Sequence, residues 1–337
     1  MWQVTGQTRA VSFLRRGLER GMVAHAYLFI GPPHVGKMTL ALDLAQALNC
    51  EADERPCGVC GSCEKILLAK HADVQVIGLA DNGSPDELKN RAEISIDQVR
   101  EMRHSCNLPP FEGRYKVYII DGAEKLSIEA ANCLLKSLEE PEKRVVFILL
   151  TINEKLLPDT VISRCQRLEL LPLANNEAEA MLGSIGIVER QKAKLLTRIS
   201  HGCLGWAIAA ASDDNLLIQR GERISELIDI INGDCEERFA YAAKLADQFG
   251  QNRERVWQVL DLWLDWWRDL LLVKLDCKDA IANVDFEDDL AEMAKCYRLL
   301  QIRDAIDSIQ QAGGQLRQNV NPRLALEVLM FDMPKGS

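Results

Sequence analysis

The first half of the chain alternates between two hydrophobic patterns. Short apolar runs predict five buried strands, namely AYLFIG, DVQVIGL, KVYIIDG, VVFILLT and QRLELL. Three segments between them repeat their apolar residues at helical spacing, namely KMTLALDLAQALN, SIDQVREMRHSC and SIEAANCLLKSLEEP. Strands that alternate with helices are typical of a parallel sheet flanked by helices. The pattern therefore predicts an α/β domain over residues 1–169.

The second half has no convincing strand pattern. Residues 170–212 predict a small helical domain, and residues 213–333 predict a larger, all-α domain. In the segment RVWQVLDLWLDWWRDLLLVKL, one helical face carries Val256, Val259, Leu260, Trp263, Trp267, Leu270 and Leu271. Large aromatic side chains at this spacing usually fill helix interfaces, although a binding surface is the alternative. We therefore expect this helix to lie in a packed core.

Composition and charge limit the classes of function. With 337 residues the chain exceeds the usual single-domain size, and its longest apolar run, Val145 to Leu150, is too short to span a membrane. No signal peptide is recognisable, so a cytoplasmic protein is expected. The net charge is −10, and residues 213–300 alone carry 20 acidic and 11 basic residues. This acidity argues against autonomous binding of duplex DNA and favours partner proteins.

The segment GPPHVGKMT fits a phosphate-binding loop. Gly31, Gly36 and Lys37 follow the G-x-x-x-x-G-K pattern between a predicted strand and a predicted helix. In such loops backbone N–H groups and the lysine bind phosphate oxygens, whereas an accidental glycine-rich turn is the alternative. The hydroxyl residue that normally binds magnesium is replaced by Met38, and Thr39 lies about 100° further around the helix. The loop predicts a nucleotide site with a compromised metal position.

A second part of the nucleotide site is expected at the end of the strand KVYIIDG. Asp121 stands where such sites place a metal-binding carboxylate. The glutamate that usually follows and orients the attacking water is replaced by Gly122. Glu124 lies two residues further on and is expected to face elsewhere if the turn is regular. The two defects together predict nucleotide binding at most, with little or no hydrolysis.

Four cysteines after the phosphate loop predict a metal site. Cys50, Cys57, Cys60 and Cys63 form a C-x6-C-x2-C-x2-C pattern. Four thiolates complete a tetrahedral zinc shell and leave no open position, so a structural Zn²⁺ in a module at residues 50–63 is expected. An iron–sulfur cluster or loose thiols are the alternatives. Most of the other seven cysteines are expected to be buried.

Taken together, these motifs resemble the bacterial clamp-loader branch of the AAA+ ATPases. The resemblance also rests on IDGAEKLSIEAANCLLKSLEEP and LLPDTVISRCQRLEL, and on HAYLFIGPP and NVNPRLALEVLMF towards the two ends. It implies a subunit of a hetero-pentameric ring with the tau/gamma and delta subunits of DNA polymerase III. Such a ring loads the sliding clamp on primer-template DNA. The two helical domains would then be a lid, residues 170–212, and a collar, residues 213–333.

The resemblance also implies roles for single residues. Ser163, Arg164 and Cys165 match an S-R-C motif whose arginine reaches a neighbouring subunit's ATP site. A surface arginine with a local carboxylate partner is the alternative. Thr151 matches a position that senses the γ-phosphate, and a buried threonine that caps a strand is an equal alternative. Gly205 stands where the family normally has a nucleotide-sensing arginine.

These expectations together predict a clamp-loader subunit that hydrolyses ATP barely or not at all and donates Arg164 to the ATP site of a neighbouring subunit. Bound ATP or ADP is expected to be weak or absent, and contact with DNA is expected only through the assembly. Two rival functions remain open. One is a working tau/gamma-like ATPase in which Thr39 or a shifted loop restores magnesium binding. The other is a zinc-containing DNA-binding module that acts alone, against which the charge of −10 argues.

Overall fold

The computed structural model describes residues 2–79, 93–185, 189–318 and 320–335. The chain divides into two compact units. The first is Met1–Leu173 with Cys203–Gly205, and the second is Ala174–Gly202 with Trp206–Ser337. Among the described helices, none has the length and apolar character needed to cross a membrane.

A five-stranded sheet forms the centre of the first unit. Its strands are β1 (Ala26–Ile30), β2 (Val74–Ile77), β3 (Lys116–Asp121), β4 (Val145–Thr151) and β5 (Gln166–Glu169). They lie in the order β2-β3-β4-β1-β5, and every neighbouring pair is parallel. The prediction of five strands in a parallel sheet is confirmed. The side chains of β4 are buried throughout, as expected for a parallel strand covered on both faces.

Helices cover both faces of this sheet. They are α1 (Thr8–Glu19), α2 (Lys37–Asn49), α3 (Gly61–Leu67), α4 (Ile96–Cys106), α5 (Ile128–Glu139) and α6 (Asp159–Ile162). Alternate strand residues enter two apolar clusters, because successive side chains of a strand point to opposite faces. Phe29 and Ile148 pack in the cluster that includes α2 residues, and Leu28 and Phe147 pack in the cluster that includes α4 and α5 residues.

The parallel arrangement decides where the candidate nucleotide residues lie. The carboxyl ends of β1, β3 and β4 meet at one edge of the sheet, and they lead to the phosphate loop, Asp121 and Thr151 respectively. Ligands of open α/β sheets bind at this edge. The structure therefore brings these three sequence-predicted parts together.

The second unit is helical. From residue 174 onward its helices are α7 (Asn175–Ile185), α8 (Arg190–Ile199), α9 (Leu204–Ser212), α10 (Asp214–Asn232), α11 (Cys235–Gln251), α12 (Arg253–Lys274), α13 (Glu287–Cys296), α14 (Leu299–Arg317) and α15 (Pro322–Asp332). Within the described residues, no strand follows β5. This confirms the all-helical second half. The division into a lid and a collar at residue 212 stays a prediction.

Helix α12 lies in the core of the second unit. Trp263 stacks on Tyr241 with a ring-centroid distance of 5.9 Å, and Trp267 meets Tyr297 edge-on at 5.3 Å. Trp266, which lies outside the predicted stripe, is fully buried as well. The packed-core interpretation is confirmed, but more of α12 is buried than one helical face, because α11, α13 and α14 all pack against it.

Candidate functional site

The phosphate loop connects β1 to α2 and needs glycine at positions 31 and 36. At Gly31 a Cβ atom would lie 2.5 Å from the Leu170 carbonyl oxygen, so the backbones approach too closely for any side chain. Gly36 has a φ of 104° at the N-cap of α2, which is a left-handed conformation that favours glycine. The Gly31 N–H donates to the Thr151 carbonyl at 3.1 Å and ties the loop to β4.

Lys37 is bound by its own loop. Its Nζ donates to the Gly31 carbonyl at 2.6 Å and to the Pro32 carbonyl at 2.7 Å. Burial lowers the pKa of Lys37, while the nearby carboxylates of Glu124 and Asp121 act in the opposite direction. In this conformation the ammonium group that would neutralise a phosphate is already held by backbone oxygens.

Glu124 was expected to face elsewhere if the turn after β3 is regular, and that turn is irregular. Its carboxylate is close enough to influence the pKa of Lys37, and its Oε2 atom is buried. The reason is local backbone geometry. Gly122 has a φ of 76°, and a 3-10 helix at Ala123–Lys125 follows it, so the chain does not continue in a regular turn after β3.

Met38, at the magnesium position, and Thr151, at the end of β4, have no polar group free to bind a nucleotide. Met38 is half-buried and packs against the apolar cluster around α2, and Thr39 is also half-buried. The Thr151 hydroxyl donates to the Asn153 carbonyl at 3.1 Å and accepts the Asn153 N–H at 3.2 Å. This buried threonine has the geometry of a strand cap. Asp121, in contrast, is exposed at the end of β3.

Gly205 packs directly on the phosphate loop. Its N–H donates to the His34 carbonyl at 3.0 Å, and a Cβ atom at this position would lie 2.7 Å from that oxygen. An arginine therefore does not fit at residue 205 with the present backbone. Cys203, two residues earlier, is buried in the α2 cluster beside Lys37.

Arg164 follows the short helix α6 and has a local carboxylate partner. Its Nη2 donates to Glu139 Oε1 at 2.6 Å, at the end of α5. Its Nη1 donates to the Thr160 carbonyl at 2.8 Å and contacts Ser163 Oγ at 3.4 Å. The side chain keeps one-third of its surface exposed. Glu139 was not singled out by the sequence, because pairing across 25 positions depends on the tertiary fold.

The four predicted cysteines form one cluster. The Sγ atoms of Cys50, Cys57, Cys60 and Cys63 all lie within 4.8 Å of one another, and the Cys57 and Cys63 sulfurs are 3.9 Å apart. Two ligands of a tetrahedral zinc are expected at about 3.8 Å from each other, given Zn–S bonds of about 2.3 Å. Among the described residues, no other group of three or more potential ligands is present. The set fits a structural Zn²⁺.

The chemistry of the cluster also favours a cation. The backbone N–H groups of Val59 and Cys60 lower the pKa of Cys57 to about 6. Burial raises the pKa of Cys63 to about 12, so this thiol ionises at neutral pH only beside a cation. The Cys57 N–H donates to the Cys50 sulfur at 3.4 Å, and such a hydrogen bond stabilises a thiolate that binds a metal.

The remaining cysteines do not follow the expectation that most are buried. Cys106 and Cys203 are buried, whereas the three cysteines of the second unit's surface are exposed, namely Cys235, Cys277 and Cys296.

Comparisons with known proteins identify the family of this chain. A family model described as DNA polymerase III, delta subunit, matches residues 6–174. The chain is 27% identical to DNA polymerase III subunit delta' of Bacillus subtilis (strain 168), over 98% of this chain and 97% of that relative. It is 32% identical to DNA polymerase III subunit tau of Escherichia coli (strain K12), over 69% of this chain but only 36% of that relative.

A solved structure of a DNA polymerase III gamma subunit-related protein from Thermotoga maritima is also similar. It aligns with a TM-score of 0.46 and 16% identity, over 96% of this chain and 97% of that chain. The parallel sheet, the helical second half and the cysteine cluster are those expected from the motifs. The chain therefore belongs to the DNA polymerase III delta-subunit family that matches residues 6–174, within the bacterial clamp-loader branch.

Proposed function

We propose that this chain is a clamp-loader subunit of the delta prime type that hydrolyses ATP barely or not at all. The observation that carries the proposal is the self-contained phosphate loop. Its lysine is bound by the Gly31 and Pro32 carbonyls, and the His34 carbonyl occupies the space in which a side chain at residue 205 would begin. A loop of this kind stabilises the connection between β1 and α2, but it lacks groups that ATP hydrolysis needs.

Three positions lack groups that ATP hydrolysis uses. Met38 gives the magnesium position an apolar side chain, and Gly122 and Gly205 have no side chain to orient water or to contact a phosphate. Removal of one preorganised group from an active site typically lowers the rate by about 10²–10³. Three such losses together leave no effective autonomous hydrolysis. When a nucleotide is bound, Gly31, Gly36 and Lys37 would contact its phosphates.

In this proposal the chain contributes Arg164 to ATP hydrolysis in a neighbouring subunit. An arginine offered to a neighbouring site stabilises the negative charge on the γ-phosphate in the transition state. Nη1 is already oriented by the Thr160 carbonyl and Ser163, and Nη2 would exchange Glu139 for a phosphate oxygen of the neighbour's ATP. An exposed ion pair such as Arg164–Glu139 is worth about 0–1 kcal/mol, so this exchange costs little.

The zinc module has a structural role in this proposal. Cys50, Cys57, Cys60 and Cys63 would hold one Zn²⁺, and the metal would cross-link a segment that has little apolar core of its own. Family membership supports the remaining partners of this proposal. They are the tau/gamma and delta subunits in a five-membered ring in the cytoplasm, the sliding clamp, and primer-template DNA reached through the assembly.

The similarity to tau subunits keeps one rival function in view, which is an active tau/gamma-like ATPase. ATP turnover by the purified chain distinguishes the two. We expect the rate to equal that of a Lys37→Ala variant, whereas a rate clearly above that variant would support the rival. The net charge of −10 disfavours the second rival, an autonomous DNA-binding module, and tight, salt-sensitive binding of DNA by the purified chain would support it.

Reconstitution of the ring tests the role of Arg164. Arg164→Ala should lower the clamp-stimulated and DNA-stimulated ATPase of the assembly by about tenfold or more. Arg167→Ala is a matched control, because Arg167 is a nearby exposed arginine that pairs with Glu154. Equal activity of the two variant assemblies would reject the trans role.

A further inference from the structure

Helix α1 concentrates positive charge on a chain that is acidic as a whole. Residues 8–20 contain one acid, Glu19, and four arginines, at positions 9, 15, 16 and 20. All four arginines are exposed. Among the described residues, no ion pair is found for any of them. With a net charge of −10 for the chain, this helix is a local exception.

One face of α1 combines these charges with an aromatic side chain. The spacing i, i+4, i+7, i+11 places four exposed residues on this face, namely Arg9, Phe13, Arg16 and Arg20. The other side of the helix carries Ala10 and Leu14, which are buried in the apolar cluster around α2. Phe13 is 43% exposed although it lies between two arginines. We call the four exposed residues the α1 arginine face.

The stability of the helix does not account for this face. Basic residues stabilise the C-terminal end of a helix, which gives Arg16 and Arg20 a structural reason. Arg9, in contrast, lies in the first turn, where a positive charge opposes the helix dipole. No acid is present in that turn to offset it. The charge at Arg9 therefore has no local structural purpose.

The helix that carries the face is fixed at both ends. Gln7 Nε2, directly before α1, donates to the Leu171 carbonyl at 2.8 Å. Beyond the last turn the Met22 N–H donates to the Gly17 carbonyl at 2.8 Å, and Gly21 has a φ of 65°. The face is thus held in place before any partner arrives, so little conformational entropy is lost on binding.

The Arg16 guanidinium is oriented but keeps free donors. Its Nε donates to the Ser12 carbonyl at 3.2 Å, one turn earlier in α1. No hydrogen bond from its Nη1 or Nη2 is found among the described residues. Two N–H groups side by side match the two oxygens of a carboxylate.

We propose that the α1 arginine face binds an acidic segment of a partner protein that also carries an apolar side chain. Its carboxylates would pair with the arginines, and its apolar side chain would cover Phe13. Arginine and aromatic residues are enriched at protein interfaces and among their hot spots. The backbone of duplex DNA would also satisfy the arginines, but it offers no apolar cover for Phe13 or for Met22, which is 63% exposed just beyond the helix. A protein segment is therefore the better complement.

The face is separate from the groups assigned to nucleotide chemistry. It includes neither the phosphate loop nor Arg164, and its binding is measured without ATP. The proposal therefore goes beyond the proposed function, and either one can fail alone.

Selection of displayed peptides on the zinc-loaded full chain tests the proposal. Random peptides of about 16 residues are selected, and the enriched ones are synthesised and titrated by fluorescence anisotropy. We expect acidic peptides with apolar side chains, and their binding should weaken as the salt concentration rises. Arg16→Glu and Phe13→Ser should each weaken this binding by about tenfold or more.

Two exposed positions of the second unit provide matched controls. Arg303→Glu makes the same change of charge, at a side chain that is 62% exposed and pairs with Asp304. Phe331→Ser removes an aromatic side chain that is 75% exposed. Neither control should change the affinity for the selected peptides. Unfolding temperatures of the four variants, compared with the wild type, establish that each one is folded.

Several outcomes would overturn the proposal. One is that the wild-type chain enriches no peptide that the Arg16→Glu variant fails to enrich. Another is an affinity that is equal for Arg16→Glu and Arg303→Glu, or equal for Phe13→Ser and Phe331→Ser. A third is the absence of acidic peptides together with binding of duplex DNA of about 20 base pairs that Arg16→Glu abolishes, because the face would then bind nucleic acid.

Discussion

Substitution of Asp73 by alanine should destabilise the first unit. The wild-type carboxylate accepts the three backbone N–H groups of residues 111–113, in the turn between α4 and β3, and it is the only acceptor for them among the described residues. Alanine leaves these amides without a partner in a turn that packs against Asn49 and His71. The structural change should be confined to the turn and the adjoining start of β3, because the hydrogen bonds of the sheet remain.

The expected loss of unfolding free energy follows from the three hydrogen bonds that are removed. A bond from an N–H to a charged acceptor contributes about 1.5–3 kcal/mol, and water reaches amides of a surface turn once the carboxylate is removed. About 1 kcal/mol for each of the three bonds is therefore expected, or about 3 kcal/mol in total. For a unit of this size, that loss corresponds to a fall of about 6–12 °C in unfolding temperature.

Calorimetry and amide hydrogen exchange measure this effect. The exchange rates of residues 111–113 should rise most, since these amides lose their acceptor. Asp307→Ala is the control, because Asp307 is 67% exposed and lies 3.9 Å from Arg303. Its effect should stay within about 0.5 kcal/mol. If Asp73→Ala is no more destabilising than Asp307→Ala, the turn is not held as described.

The same carboxylate predicts a pH dependence. Burial opposes ionisation of Asp73, but the N–H groups of residues 111–113 outweigh it, so its pKa lies below the usual value of 3.8. A depressed pKa stabilises the folded state above the unfolded-state pKa, and this contribution is lost as the pH falls through the folded-state pKa. The stability difference between wild type and Asp73→Asn should therefore shrink below about pH 4. A difference that stays constant down to about pH 2 would contradict this assignment.

Three further predictions concern other parts of the molecule. Metal analysis of protein purified without chelator should find about one zinc per chain. Cys60→Ser should lower both the zinc content and the unfolding temperature. If the wild-type protein contains no zinc, the site is rejected. Gly205→Arg should yield no ATPase activity and should destabilise the first unit, because a Cβ atom meets the His34 carbonyl at 2.7 Å; a gain of hydrolysis would contradict this. His201 lies 2.9 Å from Asp265, and this hydrogen bond raises the pKa of His201. The loss of unfolding free energy in Asp265→Asn should therefore be larger at about pH 5.5 than at about pH 8.5. Denaturant titrations at both pH values measure this difference.

Regular structure in the first unit was predictable because its strands are buried on both faces. Such strands appear in the sequence as continuous apolar runs, and VVFILLT coincides with β4. Trp266 could not be placed in the same way. Periodicity identifies one buried face of a helix, whereas α12 contacts several neighbours, and how many neighbours surround a helix is a property of the tertiary fold.

The candidate sites were predictable as far as their residues are close in sequence. The four cysteines lie within one short segment whose spacing determines the cluster, and the phosphate loop is local as well. Glu139 beside Arg164, and the Gly205 backbone on His34, join residues far apart in the chain, so local patterns did not reveal them. The position of Glu124 depends on the turn after β3, which the left-handed Gly122 makes irregular.

We propose that the ATP hydrolysis to which this chain contributes takes place in a neighbouring subunit. The most direct measurement compares two variants of this chain in otherwise wild-type rings, with clamp-stimulated ATP hydrolysis as the readout. We expect Arg164→Ala to lower the rate by about tenfold or more, while Lys37→Ala changes it by less than about twofold. A larger loss with Lys37→Ala than with Arg164→Ala would contradict the account, because it would place productive nucleotide chemistry in this chain's own phosphate loop.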